Sequence, residues 1–181
     1  GHDMVYVCYD NEAYMNTGAQ CSGSTPHGAW TTTTPGGKGI LQRGGKKRIL
    51  DLMVANGITY AATVNIAYPE DFIARVREAK AIRGPRFVHA LTPCPSGWRM
   101  DSRRTVEVAS LATRTGIFPL YEYRNGKYQF TKEIKNRKPV EEYLRLQGRF
   151  KHLSPAQVAQ IQGIVDRELE ELKAKVGASR K

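Results

Sequence analysis

The chain has 181 residues, enough for one domain that buries roughly 70% of its unfolded surface. Its 40% hydrophobic content contains no apolar run near the length of a membrane span and its start shows no signal peptide, so a soluble globular protein is expected. The balance of 28 Lys and Arg against 17 Asp and Glu gives +11, which suits an acidic partner, and three cysteines without metal-type spacing argue against a secreted disulfide framework and for a reducing cytoplasm.

The first predicted element is a strand over Met4 to Cys8, read as buried from its β-branched and aromatic residues. It empties without a spacer into the polar run Tyr9 to Gln20, and the carboxyl end of a strand is the usual place for a ligand in an open α/β sheet. Asn11 offers an amide oxygen there, and the carbonyl of Ala13, two residues on, can face the same point. Two neutral oxygens suit a hard cation such as Mg2+, whose near-octahedral shell must then be completed from elsewhere. Glu12 is the nearest carboxylate, and alternation along an extended segment turns it away from that point.

Gly18 to Gly45 reads as a long loop rich in Gly, Ser, Thr and Pro, of the kind that is usually functional. Its Gly36-Gly37-Lys38-Gly39 lacks the spacing of a Walker loop, and His27 and Trp30 read as packed or solvated loop residues. Lys46 to Ala55 fits a helix ended by Asn56-Gly57, Thr59 to Ile66 a strand, and Pro69 to Ile82 a second helix. Phe72, Ile73, Val76 and Ala79 are that helix's expected buried stripe, and Gly84 stops it. Arg86 to Leu91 returns as a strand, and the strand–helix alternation predicts an α/β fold with a mostly parallel sheet.

Thr92-Pro93-Cys94-Pro95 follows that strand, on the same sheet edge as the Asn11 loop. A cysteine between two prolines has a pre-aimed backbone, and nearby Gly97 permits close approach; taken alone, such a cysteine is more often a small buried hydrophobe than a ligand. Cys8 reads as core and Cys21 as a free thiol. Asp101 or Ser102 caps a helix to Thr115, and Asn125-Gly126 joins Leu120–Arg124 to Lys127–Thr131 in a small antiparallel hairpin at the sheet edge. Pro139 to Leu146 is a short helix. Ser154-Pro155 opens the last one, with Val158, Ile161, Ile164, Val165, Leu169 and Leu172 on one face. A single domain over residues 1–181 is expected, with 147–181 as a helical tail.

Three segments then carry a resemblance: Asp10-Asn11-Glu12-Ala13-Tyr14-Met15-Asn16-Thr17-Gly18, Thr25-Pro26-His27-Gly28-Ala29 and Thr92-Pro93-Cys94-Pro95-Ser96-Gly97-Trp98. Together they resemble the β subunit of pyruvate:ferredoxin oxidoreductase, of the 2-oxoacid:ferredoxin oxidoreductase family, over Met4 to about Leu146. The resemblance implies the C-terminal part of a thiamine-diphosphate-binding fold. It implies Asn11 and the Ala13 carbonyl as Mg2+ ligands, Asp10, Met15, Asn16 and Thr17 beside thiamine diphosphate with Asn16 as the catalytic contact, and Cys94 as one ligand of a 4Fe-4S cluster.

The implied reaction is oxidative decarboxylation of pyruvate to acetyl-CoA and CO2, using coenzyme A and passing electrons through the cluster to ferredoxin, in a cytoplasmic multi-subunit complex. Neither a membrane nor nucleic acid is an expected partner. The family's motif opens with Gly-Asp-Gly, whose Asp binds the metal, and its β subunit has three further cluster cysteines; this sequence contains neither. The chain is therefore expected to be the C-terminal portion, a fragment or a separately encoded piece, inactive alone and completed by residues outside it. Two alternatives stand beside this reading: a different 2-oxoacid, branched-chain or 2-oxoglutarate, and a non-catalytic basic binding module. Aromatics not interleaved with the basic residues speak against the module.

Overall fold

The computed structural model describes residues 2–34 and 45–179; Gly36-Gly37-Lys38-Gly39 lies outside them. Five strands form one sheet in the order β1 (Met4–Asp10), β3 (Pro85–Leu91), β2 (Tyr60–Asn65), β4 (Leu120–Arg124), β5 (Lys127–Lys132). The first three are parallel, and β4 and β5 join antiparallel as the predicted hairpin. Asn125 and Gly126 take φ of 50° and 82°, the positive values a two-residue turn of this hand requires. Register places Asp10, Leu91 and Asn65 side by side, so the parallel strands end at one level.

Alternation along β2 and β3 divides the core. Tyr60, Ala62, Val64, Val88 and Ala90 face α2 (Pro69–Ala81), whereas Ala61 and Phe87 pack under Leu50 of α1 (Ile49–Ala55). On α2 the buried side is narrower than the expected stripe: Phe72 and Ala79 reach the core, while Ile73 is 51% exposed. A step of one residue turns about 100° around a helix, which carries position 73 out of the stripe formed by 72, 76 and 79.

The strand read as buried is instead the sheet's edge. Among the described residues β1 pairs only with β3; Tyr6 is 56% and Tyr9 76% exposed, and Cys8, expected in the core, is half-buried against the Leu50 and Phe87 cluster. β-branched and aromatic residues favour a pleated surface without distinguishing a central strand from an edge one.

Beyond β3 a short helix α3 (Pro95–Trp98) leads to a 3-10 turn at Ser102–Arg104, capped by Asp101, and then α4 (Thr105–Arg114). After α5 (Glu141–Leu144), Gln147, Arg149 and Phe150 are buried. The last helix, α6 (Pro155–Ala178), opens with a capping box between Ser154 and Gln157. It buries Ile161, Val165, Leu169, Leu172 and Val176, a repeat of three and four that lines one face.

Candidate functional site

Past the ends of β1 and β3 the two chains stay together. The Thr92 amide donates to the Asp10 carbonyl at 2.9 Å, and the Trp98 indole N–H donates to the Asn11 carbonyl at 2.8 Å. The loop carrying Asn11 and the loop carrying Cys94 are thereby fixed against each other, as the sequence predicts for one sheet edge.

Beneath them lies a buried charge cluster. The Asp10 carboxylate accepts from the Glu12 amide at 2.9 Å, Ser24 Oγ at 2.5 Å, Lys46 Nζ at 2.7 Å and His89 Nε2 at 2.7 Å. Burial alone would raise its pKa, but the His89 hydrogen bond and the Lys46 charge outweigh this and hold the carboxyl well below the usual range. Glu12, 1% exposed, turns fully inward: its carboxylate meets Lys46 Nζ at 2.8 Å and Arg149 Nη2 at 2.6 Å, and its carbonyl accepts from Thr25 Oγ1 at 2.7 Å. The inward turn was expected from strand alternation; its actual cause is a left-handed backbone at Glu12, φ 68°. Burial would lower the Lys46 pKa, and Glu12 and Asp10 together raise it instead. Arg149, itself buried, lies 4.0 Å from the Trp98 ring centre and 4.9 Å from that of Phe150, and donates to Gln147 Oε1 at 2.9 Å.

With both flanking carboxylates claimed by cations, the polar groups facing outward are neutral. Asn11 is half-buried, and its Oδ1 receives only a long 3.4 Å contact from the Ala13 amide. Among the described residues no donor reaches the Ala13 carbonyl. Asn16 and Thr17 are exposed on the loop that Tyr14 and Gln20 close with paired backbone hydrogen bonds of 3.0 and 3.2 Å. The Met15 thioether fills the space where a Cβ on Gly97 would stand, and Cys94 Sγ is 3.4 Å from the same point. Gly97 thus admits the Met15 side chain to the cysteine's side, where a backbone or a cluster was expected to approach. Cys94 is a free, half-buried thiol whose Sγ lies 3.5 Å from Ser96 Oγ; Cys21 is likewise free and half-buried. Among the described residues the buried His27 Nδ1 has no partner, and the Arg99 guanidinium stacks 3.5 Å from the Trp30 ring centre.

Among the described residues no group of three His, Cys, Asp or Glu is arranged to hold a metal ion. The donors present nevertheless fit a share of two sites: two neutral oxygens, the weakly engaged Asn11 Oδ1 and the Ala13 carbonyl, suit part of a magnesium shell, and one thiol at Cys94 suits one corner of a cluster. Asp10 has its oxygens turned to internal donors, so its place is that of an anchor under the loop. Sequence reasoning passed over Lys46, His89 and Arg149. Of these, His89 was detectable as a histidine inside an otherwise apolar strand, whereas Lys46 looked like one more solvated cation and Arg149 lies past the resembling segments.

The chain is similar to known proteins over most of its length. Residues 1–90 match the family model described as thiamine pyrophosphate enzyme, C-terminal TPP binding domain. The chain is 52% identical over 176 residues to ketoisovalerate oxidoreductase subunit VorB of Pyrococcus horikoshii, covering 96% of this chain and 57% of that protein. It is 49% identical over 174 residues to pyruvate synthase subunit PorB of Methanothermobacter marburgensis, covering 96% and 60%. The chain thus spans under two thirds of the length of these relatives. A solved 2-oxoglutarate:ferredoxin oxidoreductase from Magnetococcus marinus shares the fold, with a TM-score of 0.50 at 21% identity over 91% of this chain and 53% of that one. No described helix is long and apolar enough to cross a membrane.

Proposed function

The chain belongs to the 2-oxoacid:ferredoxin oxidoreductase β subunits, and on that premise we propose that it supplies the C-terminal share of the cofactor site in an enzyme that oxidatively decarboxylates pyruvate. In this reading Asn11 Oδ1 and the Ala13 carbonyl hold Mg2+, Met15, Asn16 and Thr17 lie along thiamine diphosphate, and Cys94 ligates a 4Fe-4S cluster. Bound, the thiamine cofactor would supply the nucleophilic carbon for decarboxylation and the cluster a one-electron path to ferredoxin, with coenzyme A accepting the acyl group. This chain's own residues fix positions: Trp98 pins the Asn11 carbonyl, and Gly97 lets Met15 lie beside Cys94. The remaining ligands and the activating carboxylate come from outside the chain, in a cytoplasmic multi-subunit complex. A charge of +11 favours docking of an acidic electron carrier.

The observation that supports the reading is the pinning of the Asn11 loop to the Cys94 loop by the Trp98–Asn11 and Thr92–Asp10 hydrogen bonds, which holds the candidate metal loop against the loop that carries the thiol. It is tested in the assembled complex with Asn11→Ala and Cys94→Ser. The first should abolish Mg2+-dependent binding of thiamine diphosphate, and the second should remove one four-iron cluster's signal from the electron paramagnetic resonance spectrum. Retention of both properties overturns the reading. A branched-chain 2-oxoacid is the second reading, supported by a ketoisovalerate subunit that is as similar to this chain, at 52% identity, as the pyruvate one at 49%. Relative kcat/KM for pyruvate and ketoisovalerate separates the two.

A further inference from the structure

The buried cluster beneath the Asn11 loop is more elaborate than core packing asks for. Glu12 is a non-glycine residue with φ 68°, a conformation that is costly unless its surroundings over-determine it. They do so at every polar group it has. Its amide is tied to Asp10 Oδ1, its carbonyl to Thr25 Oγ1, one carboxylate oxygen to Lys46 and the other to Arg149. Lys46 also bridges back to Asp10, which is held by His89. Arg149 is fixed in turn by Gln147 and by the Trp98 ring, and it is the Trp98 indole that claims the Asn11 carbonyl. Every anchored group sits on an inward residue or on the Asn11 backbone; among the described residues the Ala13 carbonyl has no donor and the Asn11 amide oxygen has the long 3.4 Å contact from the Ala13 amide alone.

We propose that Lys46 and Arg149 are positioning residues for the metal: by clamping the Glu12 carboxylate from two sides they hold the left-handed turn that aims the Asn11 and Ala13 oxygens at one point. The inference rests on the functional reading above, in which those oxygens bind Mg2+. Both cations come from segments remote in sequence, one just before α1 and one just before α6, so the clamp also ties the end of the chain to the metal loop. Replacing Lys46 leaves two carboxylates facing each other with one cation removed. Glu12 can then relax out of the left-handed turn, carrying Ala13 away from Asn11.

The test uses the complete complex stripped of Mg2+ and thiamine diphosphate, with Mg2+ titrated at a fixed thiamine diphosphate concentration and binding followed by calorimetry. Lys46→Met should raise the Mg2+ concentration for half-saturation about 10–100-fold, the usual cost of losing a residue that orients a ligand. Lys46→Arg, which keeps the charge, should stay closer to the unaltered complex. A purely structural role would lower the Tm of the apo complex and leave the half-saturation of the folded fraction unchanged, and that result overturns the inference. Should Lys46→Met not assemble, Arg149→Lys serves: its point charge cannot span Glu12 and Gln147 together, so half-saturation should again rise, and an unchanged value is again fatal. If the unaltered complex shows no Mg2+-dependent binding, the functional reading fails and this inference with it. Equal half-saturation in a binding-competent complex sinks the inference alone.

Discussion

Arg149→Met is the sharpest probe of the buried cluster. The guanidinium is 2% exposed, reaches Glu12 Oε2 at 2.6 Å and Gln147 Oε1 at 2.9 Å, and lies against two aromatic rings. Methionine matches much of its apolar bulk, so the loss is chiefly electrostatic. Removing one partner of a buried pair costs about 3–5 kcal/mol, because a desolvated charge is left behind. Here Lys46 still faces Glu12 at 2.8 Å, which places the expected cost at the low end, about 3 kcal/mol. For a chain of this size each kcal/mol moves Tm by about 2–4 °C, so a fall of about 6–12 °C follows.

The decisive measurement is the cycle with Glu12→Gln. If the penalty comes from a stranded carboxylate, neutralising Glu12 in the Arg149→Met background should recover about 0.5–3 kcal/mol, whereas a loss of packing would not be recovered. Urea unfolding followed by tryptophan fluorescence gives each corner, with Trp98 against the guanidinium as a local reporter. Strict additivity of the two substitutions would refute the reasoning, since two groups in contact at 2.6 Å in the interior must couple if the ion pair matters.

Acid unfolding should expose Asp10. Its pKa is held low in the fold, so its stabilisation is complete above the unfolded value near about 4 and is lost as pH falls through the lower folded value; Asp10→Asn should flatten the acid limb of a stability–pH curve. At the hairpin, Gly126→Val forces a β-branched residue to φ 82° and should cost about 1–3 kcal/mol in urea unfolding, with Gly126→Asn much milder. Leu172→Ala, at a buried position of α6, should lower unfolding free energy by about 2–5 kcal/mol through the cavity it opens.

The sequence displayed the elements that rest on local rules. Asn125-Gly126 marked the hairpin because few other pairs accept two positive φ values, and Ser154-Pro155 marked the start of α6 through its cap. Hydrophobic patterning could not report that β1 is an edge strand, because a strand's neighbours on either side are a non-local matter; Tyr6 and Tyr9 look the same whether covered or bare. Asn11 and Ala13 were visible by type and spacing and Cys94 through the family resemblance, and the structure brings their loops together. Lys46, His89 and Arg149 were not, because an ion pair between residues 12 and 149 leaves no periodic trace in the chain.

The same division explains why the loop's residue types alternate in role. Asp10 and Glu12 are carboxylates beside a candidate magnesium loop, and on charge alone either would be a better ligand than an amide. Each is instead neutralised by inward-reaching cations, Asp10 by the half-buried Lys46 and Glu12 by Lys46 and the buried Arg149. In the proposed site the metal's carboxylate would come from outside this chain, so neither Asp10 nor Glu12 is needed as a ligand, and an outward-facing one would add negative charge beyond that carboxylate and the diphosphate. Turning the carboxylates inward lets them rigidify the loop and, in the proposed site, would leave the neutral oxygens of Asn11 and Ala13 to face the ligand. On the proposed reading the motif therefore alternates anchor and ligand positions, with the left-handed Glu12 as the joint between them.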